Sequence, residues 1–136
     1  NGDCTVTDNL TGLIWLKNAN CVVSKTWSSA IDWVSGLYDG CTGCGGTDND
    51  CGLNDGSSVG NWRLPNVREL QSLIDYGQDA PALPHGHPFT GVQLSPYWSS
   101  TTVGTSAAWS VSLDLGWVHN FSKTFDCYVW PVRGGQ

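Results

Sequence analysis

Apolar and polar residues alternate most regularly in the last third of the chain, from Tyr97-Trp98-Ser99-Ser100-Thr101 to Trp130-Pro131-Val132-Arg133. A period of two sends successive side chains to opposite faces of a pleated strand. The region therefore predicts a small twisted sheet with one face in a core and the other in solvent. Strands are expected at 97–101, 109–115, 117–121 and 128–132, with one more at 13–16, and Gly116 makes the tight turn between the second and third of these. Earlier in the chain the period changes. Trp27, Ala30, Ile31, Val34 and Leu37 recur at helical spacing behind Thr26, a candidate N-cap, and Val67, Leu70, Leu73 and Ile74 do the same behind Pro65-Asn66. Asn66 with Glu69 three residues later has the form of a capping box. Gly77 is placed to stop that helix. Residues 39–61, rich in Gly, Asp and Asn, and the Pro-rich stretch 80–88, which carries His85 and His87, read as surface loops.

Composition narrows the class. A chain of 136 residues is expected to form one domain, 1–136, with a core of its own. A net charge of −6 with only six Lys and Arg, scattered along the chain, disfavours a nucleic-acid partner. No apolar run approaches the roughly 20 residues of a membrane span, so membrane insertion is not expected. The opening Asn1-Gly2-Asp3-Cys4 carries no secretion signal, which fits a fragment or mature C-terminal module of a longer surface protein. Six cysteines, Cys4, Cys21, Cys41, Cys44, Cys51 and Cys127, form an even set in a Gly-rich chain, which reads as up to three disulfides in an oxidising compartment. The rival is zinc on Cys41, Cys44 and Cys51, which lacks a second close pair.

The alternation also nominates a surface. With Val111, Leu113 and Leu115 turned inward, Ser110, Ser112 and Asp114 turn outward. With Val118 inward, Trp117 and His119 turn outward, and Phe121, Ser122 and Phe125 continue towards the next loop. An exposed indole stacks against a sugar ring or a peptide while Asp114 and the Ser hydroxyls hydrogen-bond to it. The same aromatics would equally cover a neighbouring module or subunit, so ligand binding and self-assembly both stay open. In the long loop, Asp48, Asp50, Asn54 and Asp55 offer the hard oxygen ligands that suit calcium, although Asp, Asn and Gly also build ordinary turns. No other cofactor is indicated. Catalysis is not indicated either: two of the three His sit in the Pro-rich loop, and no nucleophile–base order, carboxylate pair or phosphate loop is present. Arg63 and Arg133 are expected to pair with carboxylates or carbonyls, and Glu69 to act as a cap.

Several motifs occur together. Asn61-Trp62-Arg63-Leu64-Pro65-Asn66-Val67-Arg68-Glu69-Leu70 resembles a "WRLP…EL" motif, and Tyr97-Trp98-Ser99-Ser100-Thr101 a "YWSST" strand. Ala108-Trp109, Gly116, Lys123 and Val129-Trp130-Pro131-Val132-Arg133 resemble an ending of the form "AW…G…K…VRPVR", and Thr7 to Trp15 an opening strand. In these features the chain resembles the bacterial Lcl C-terminal-like domain family, named for the C-terminal domain of the Legionella collagen-like adhesin. The resemblance implies an α+β, C-type-lectin-like domain, two helices packed on a twisted, mainly antiparallel sheet, with long loops stapled by disulfides. It implies a non-catalytic adhesin-type domain outside the cell or on its surface, with a glycan or protein partner. The alternative it leaves is a structural subunit or decorating module of a filament, pilus or trimer, with copies of itself as partners. The adhesin's sulfated glycosaminoglycans are not carried over, because an acidic chain with six cations suits polysulfated ligands poorly. The resemblance further implies the pairing Cys21–Cys51, with Cys4–Cys127 joining the two ends and Cys41–Cys44 left as a local pair.

Overall fold

The computed structural model describes residues 2–45 and 51–134. In chain order the elements are β1 (Thr5–Thr7), β2 (Leu13–Leu16), α1 (Trp27–Ser35), α2 (Val67–Gln71), β3 (Pro96–Val103), β4 (Ala107–Ser112), β5 (Val118–Ser122) and β6 (Val132–Gly134). The strands form two antiparallel sheets of three, ordered β1-β2-β6 and β3-β4-β5. The first ties the ends of the chain together, with Leu13 opposite Gly134 and Trp15 opposite Val132. The second is a meander whose strands follow one another in sequence. Residues 127–132 run between the two sheets. Tyr128 bonds both ways to β3 through Pro96 and Trp98, and Val132 bonds both ways to Arg63.

That path corrects the strand expected at 128–132. Pro131 has no N–H to give a ladder, so only Val132–Gly134 is strand, and the residues before it switch partners. The short β1 was not among the expected strands. Helix α2 carries the capping box, with the Asn66 side chain accepting from the Glu69 N–H and the Glu69 carboxylate accepting from the Asn66 N–H. It ends at Gln71 rather than at 76, because Leu73 and Ile74 bond to carbonyls three residues back and the Asp75 N–H is taken by Ala82. Gly77 therefore stops nothing. Helix α1 begins after Thr26, whose side chain makes no cap bond.

The second sheet also departs from strict alternation at the end of β4. After Ser112 the chain leaves the ladder: Leu113 bonds to Ser95, and the carbonyls of Leu113 and Asp114 accept from Ala82 and Ala80. Leu113 is buried, but Leu115, expected inward, is 41% exposed. The turn that follows needs Gly116 on two counts. Its φ is +84°, and a Cβ there would sit 2.6 Å from Ile74 Cγ2.

The core is aromatic. The Trp130 ring lies 4.7 Å from Phe89, 5.4 Å from Tyr97 and 5.6 Å from Trp15, centre to centre. Its indole N–H donates to the Leu16 carbonyl, as those of Trp98 and Trp62 donate to the Lys25 carbonyl and the Ser57 hydroxyl. Trp62, Trp98 and Trp130 thus bury their surface without stranding their polar atoms, whereas the buried Trp15 indole N–H has no partner among the described residues. Disulfides join Cys21 to Cys51 and Cys41 to Cys44. Cys4 and Cys127 are thiols, so the expected bridge between the chain ends is absent. The β2–β6 ladder makes that junction instead, and Cys127 is held by paired backbone bonds with Lys25. Burial, aided by the charge of Asp126, pushes the Cys127 thiol up to about 12.

Candidate functional site

Strand β5 presents a row of rings. Trp117, His119 and Phe121 stand two residues apart and so share one face of the sheet, and Phe125 closes the row from the next turn. Neighbouring ring centres are 5.9 Å apart for Trp117 and His119, 6.1 Å for His119 and Phe121, and 5.7 Å for Phe121 and Phe125. These spacings are those of favourable tilted and edge-on aromatic pairs. Trp117 remains 59% exposed and Phe125 54% exposed. At the Trp117 end, the Tyr76 ring lies against Gly116. Beyond Phe121, the Lys123 ammonium lies 4.1 Å above the Trp27 ring. No charged residue occurs from Leu115 to Ser122, so the β5 part of the ridge is a neutral strip on an acidic protein, while Lys123 and Asp126 flank Phe125 at its end.

The polar residues expected beside the ridge divide. Ser110 is fully buried rather than outward, because it sits on the central strand between Trp98 and His119 and its hydroxyl donates to the His119 carbonyl. Ser112 is half-buried at the hairpin, opposite Trp117. Asp114 is half-buried in the segment bonded to Ala80. Ser122 falls on the other face of β5, in contact with Thr124. The structure therefore gathers Trp117, His119, Phe121 and Phe125, with Ser112 at one end, and leaves Ser110 beneath them.

Away from the ridge, Arg63, Glu69, Arg133 and Asp55 are committed to the fold. Arg63 grips both oxygens of Glu69 at 2.7 and 2.8 Å and reaches the Gly134 carbonyl, which fastens α2 to β6. Burial alone would raise the Glu69 carboxyl. Hydrogen bonds from Arg63 and the Asn66 N–H, with the charge of Arg63, outweigh it and hold the group below its ordinary 4.5. Arg133 pairs with Asp55 at 3.1 Å and lies over the Trp62 ring. The other Asp55 oxygen accepts from the Ser57 N–H and hydroxyl. Both oxygens of Asp55, expected among the calcium ligands, thus have partners within the fold. Asn54 is exposed, and Asp48 and Asp50 lie outside the described residues. Among the described residues no three His, Cys, Asp or Glu side chains are grouped to hold a metal ion.

Among the concavities away from the ridge, two are lined by residues that the sequence singles out or by the disulfides. One of about 530 Å³ is lined by Asn18, Asn20, Lys25, Trp33 and the Cys21–Cys51 and Cys44 region. The other, of about 370 Å³, is lined by Asp8, Trp15, Leu73, His85, His87 and Phe89. The His loop thus borders this second cavity and not the ridge. Trp15 at its wall is the buried indole that lacks an acceptor among the described residues. Sequence periodicity missed both concavities, since each is lined mostly by loop residues from distant parts of the chain. The Tyr76 contact was equally hidden, its one trace being the glycine that makes room for it.

No helix among the described residues is long and apolar enough to cross a membrane. No curated protein matches the chain. The model of the Lcl C-terminal domain family matches residues 4–133, a span running from just before β1 to the middle of β6 and containing the whole ridge, and the chain belongs to that family.

Proposed function

We propose that this chain is a non-catalytic recognition domain of adhesin type, displayed outside the cell, that takes a glycan or protein ligand on the β5 ridge. Membership of the Lcl C-terminal domain family supports the class. Two disulfides support an oxidising location. A C-type-lectin-like architecture is in keeping with two helices, two antiparallel sheets and long loops.

The observation that carries the reading is the ladder Trp117–His119–Phe121–Phe125, ring against ring, with Trp117, His119 and Phe125 exposed and Phe121 half-buried between them. Burying exposed aromatic surface is the dominant favourable term in such binding. The rings hold one another in place, so little side-chain freedom remains to be lost when a ligand arrives. A sugar presents C–H faces to the Trp117 indole while its hydroxyls bond to His119 and Ser112. The absence of charge along the strip selects neutral ligands over polysulfated ones.

A glycan and glycoprotein array tests this with the isolated domain and its Trp117→Ala and Phe125→Ala variants. The reading expects retained ligands to be neutral, with binding reduced ten-fold or more in either variant, the size of a loss of about 1.4 kcal/mol. Retention by both variants at wild-type strength would remove the ridge from recognition.

A further inference from the structure

We propose that the outer edge of β5 pairs with the same edge of a second copy of this chain, antiparallel and about a two-fold axis at Asn120, so that two aromatic ridges join into one platform. The proposal concerns the backbone edge and stands whatever the ridge binds.

The phase of the β4–β5 ladder decides which backbone groups are available. The Ser112 N–H donates to the Trp117 carbonyl at one end, and the Lys123 N–H donates to the Ser106 carbonyl at the other, each at 2.8 Å. Between them Ser110 faces His119 and Ala108 faces Phe121. Antiparallel bonds alternate along a strand. Trp117, His119, Phe121 and Lys123 therefore address β4, while Val118, Asn120 and Ser122 turn their N–H and C=O groups the other way. Among the described residues β5 is the last strand of its sheet, and no strand lies beyond it.

The opposite edge of the same sheet is managed differently. Strand β3 is interrupted between Trp98 and Thr102, and its outward groups are taken by Tyr128 and Pro65. Exposed edges are ordinarily blunted by a bulge, a proline, a lysine or a covering segment. β3 has two of these devices; β5 itself, Val118–Ser122, has none, and Lys123 just past its end is turned over the Trp27 ring. A bare edge is a template for another strand.

Self-pairing is the choice that the side chains favour. A two-fold axis at Asn120 sets Asn120 against its own copy, an outward residue against an outward residue, as an antiparallel ladder requires. Val118 then meets the partner's Ser122. The Ser122 carbonyl already accepts from the Phe125 N–H and has a second lone pair for this bond. An amide is donor and acceptor at once, so Asn120 matches itself. With the axis normal to the sheet, both ridges lie on one face, and His119 stands beside the partner's Phe121. No like charges meet, although each copy carries −6, because 115–122 holds none.

Sedimentation equilibrium and residue-resolved amide exchange over a concentration series test the pairing on the unaltered domain. The expected mass rises from 14.6 kDa to twice that value. In step, exchange slows at Val118, Asn120 and Ser122, while His119 and Phe121 exchange slowly throughout. Asn120→Pro removes the central outward N–H without touching a β4 bond, and Asn120→Lys sets two like charges on the axis. Both are expected to remain monomeric, with the melting temperature of the dilute, monomeric wild type. A wild-type chain that is monomeric at every concentration overturns the proposal. So does an oligomer that survives Asn120→Lys, or one that leaves those three amides fast. If Asn120→Pro does not fold, Asn120→Lys and the exchange pattern of the wild type still decide.

Discussion

The chain uses the same aromatic residues in two opposite ways. Around Trp130 the rings of Trp15, Phe89 and Tyr97 meet inside the fold, and Trp130 and Tyr97 send their polar atoms to the carbonyls of Leu16 and Ala19. On β5 the rings of Trp117, His119, Phe121 and Phe125 touch one another at similar distances, but Trp117, His119 and Phe125 face solvent and only Phe121 is half-buried against the core. The first cluster holds the two sheets in place. The second adds little to folding and has its apolar surface still to bury. Residue type alone does not separate stability from recognition; what lies across from each ring does.

Substitutions sharpen that contrast, beginning where the effect is largest. Trp130→Ala opens a cavity at the centre of the core and is expected to destabilise the domain by about 3–5 kcal/mol, read from denaturant unfolding. Gly116→Ala comes next. It forces a Cβ against Ile74 at a φ of +84°, and a loss of about 2 kcal/mol is expected, with the Tyr76 end of the ridge displaced.

Glu69→Gln weakens the grip of Arg63 and one half of the capping box, at a cost of about 1 kcal/mol. Its pH dependence carries a definite sign. The folded Glu69 carboxyl titrates below its ordinary 4.5, so its stabilisation is complete above that pH and disappears as pH falls through the folded value. The melting-temperature gap between wild type and Glu69→Gln should therefore be widest near neutrality and close in acid. A gap that widened in acid would contradict the Arg63–Glu69 account. Trp117→Ala sits at the other end of the scale. An exposed ring removed from the ridge is expected to change stability by no more than about 0.5 kcal/mol, while binding falls.

The cysteines provide a separate check on burial. Native protein treated with iodoacetamide should react at Cys4 and spare Cys127, whose thiol is buried and pushed up to about 12. Both should react after unfolding. Equal labelling in the native state would show that the 127–132 segment is not seated between the sheets.

What the sequence revealed follows from how local each signal is. The Asn66–Glu69 box, the Gly116 turn and the exposed aromatics at 117 and 119 rest on neighbours within a few residues, and each stands where its pattern places it. The misplacements came from partners distant in sequence. Leu115 is exposed because Leu113 and Asp114 are drawn towards Ala80 and Ala82. Ser110 is buried because a small residue on a central strand is covered by the larger ones beside it. Helix α2 is short because Ala82 claims the Asp75 N–H. A one-dimensional pattern contains none of these partners.

The most direct test of a recognition ridge on β5 reads the indoles themselves. Each tryptophan Nε1–H gives its own signal in a nitrogen–proton correlation spectrum. During titration with a glycan retained on the array, the Trp117 signal should shift, while those of Trp62, Trp98 and Trp130 stay still. A titration that moved the core indoles and left Trp117 in place would contradict the account.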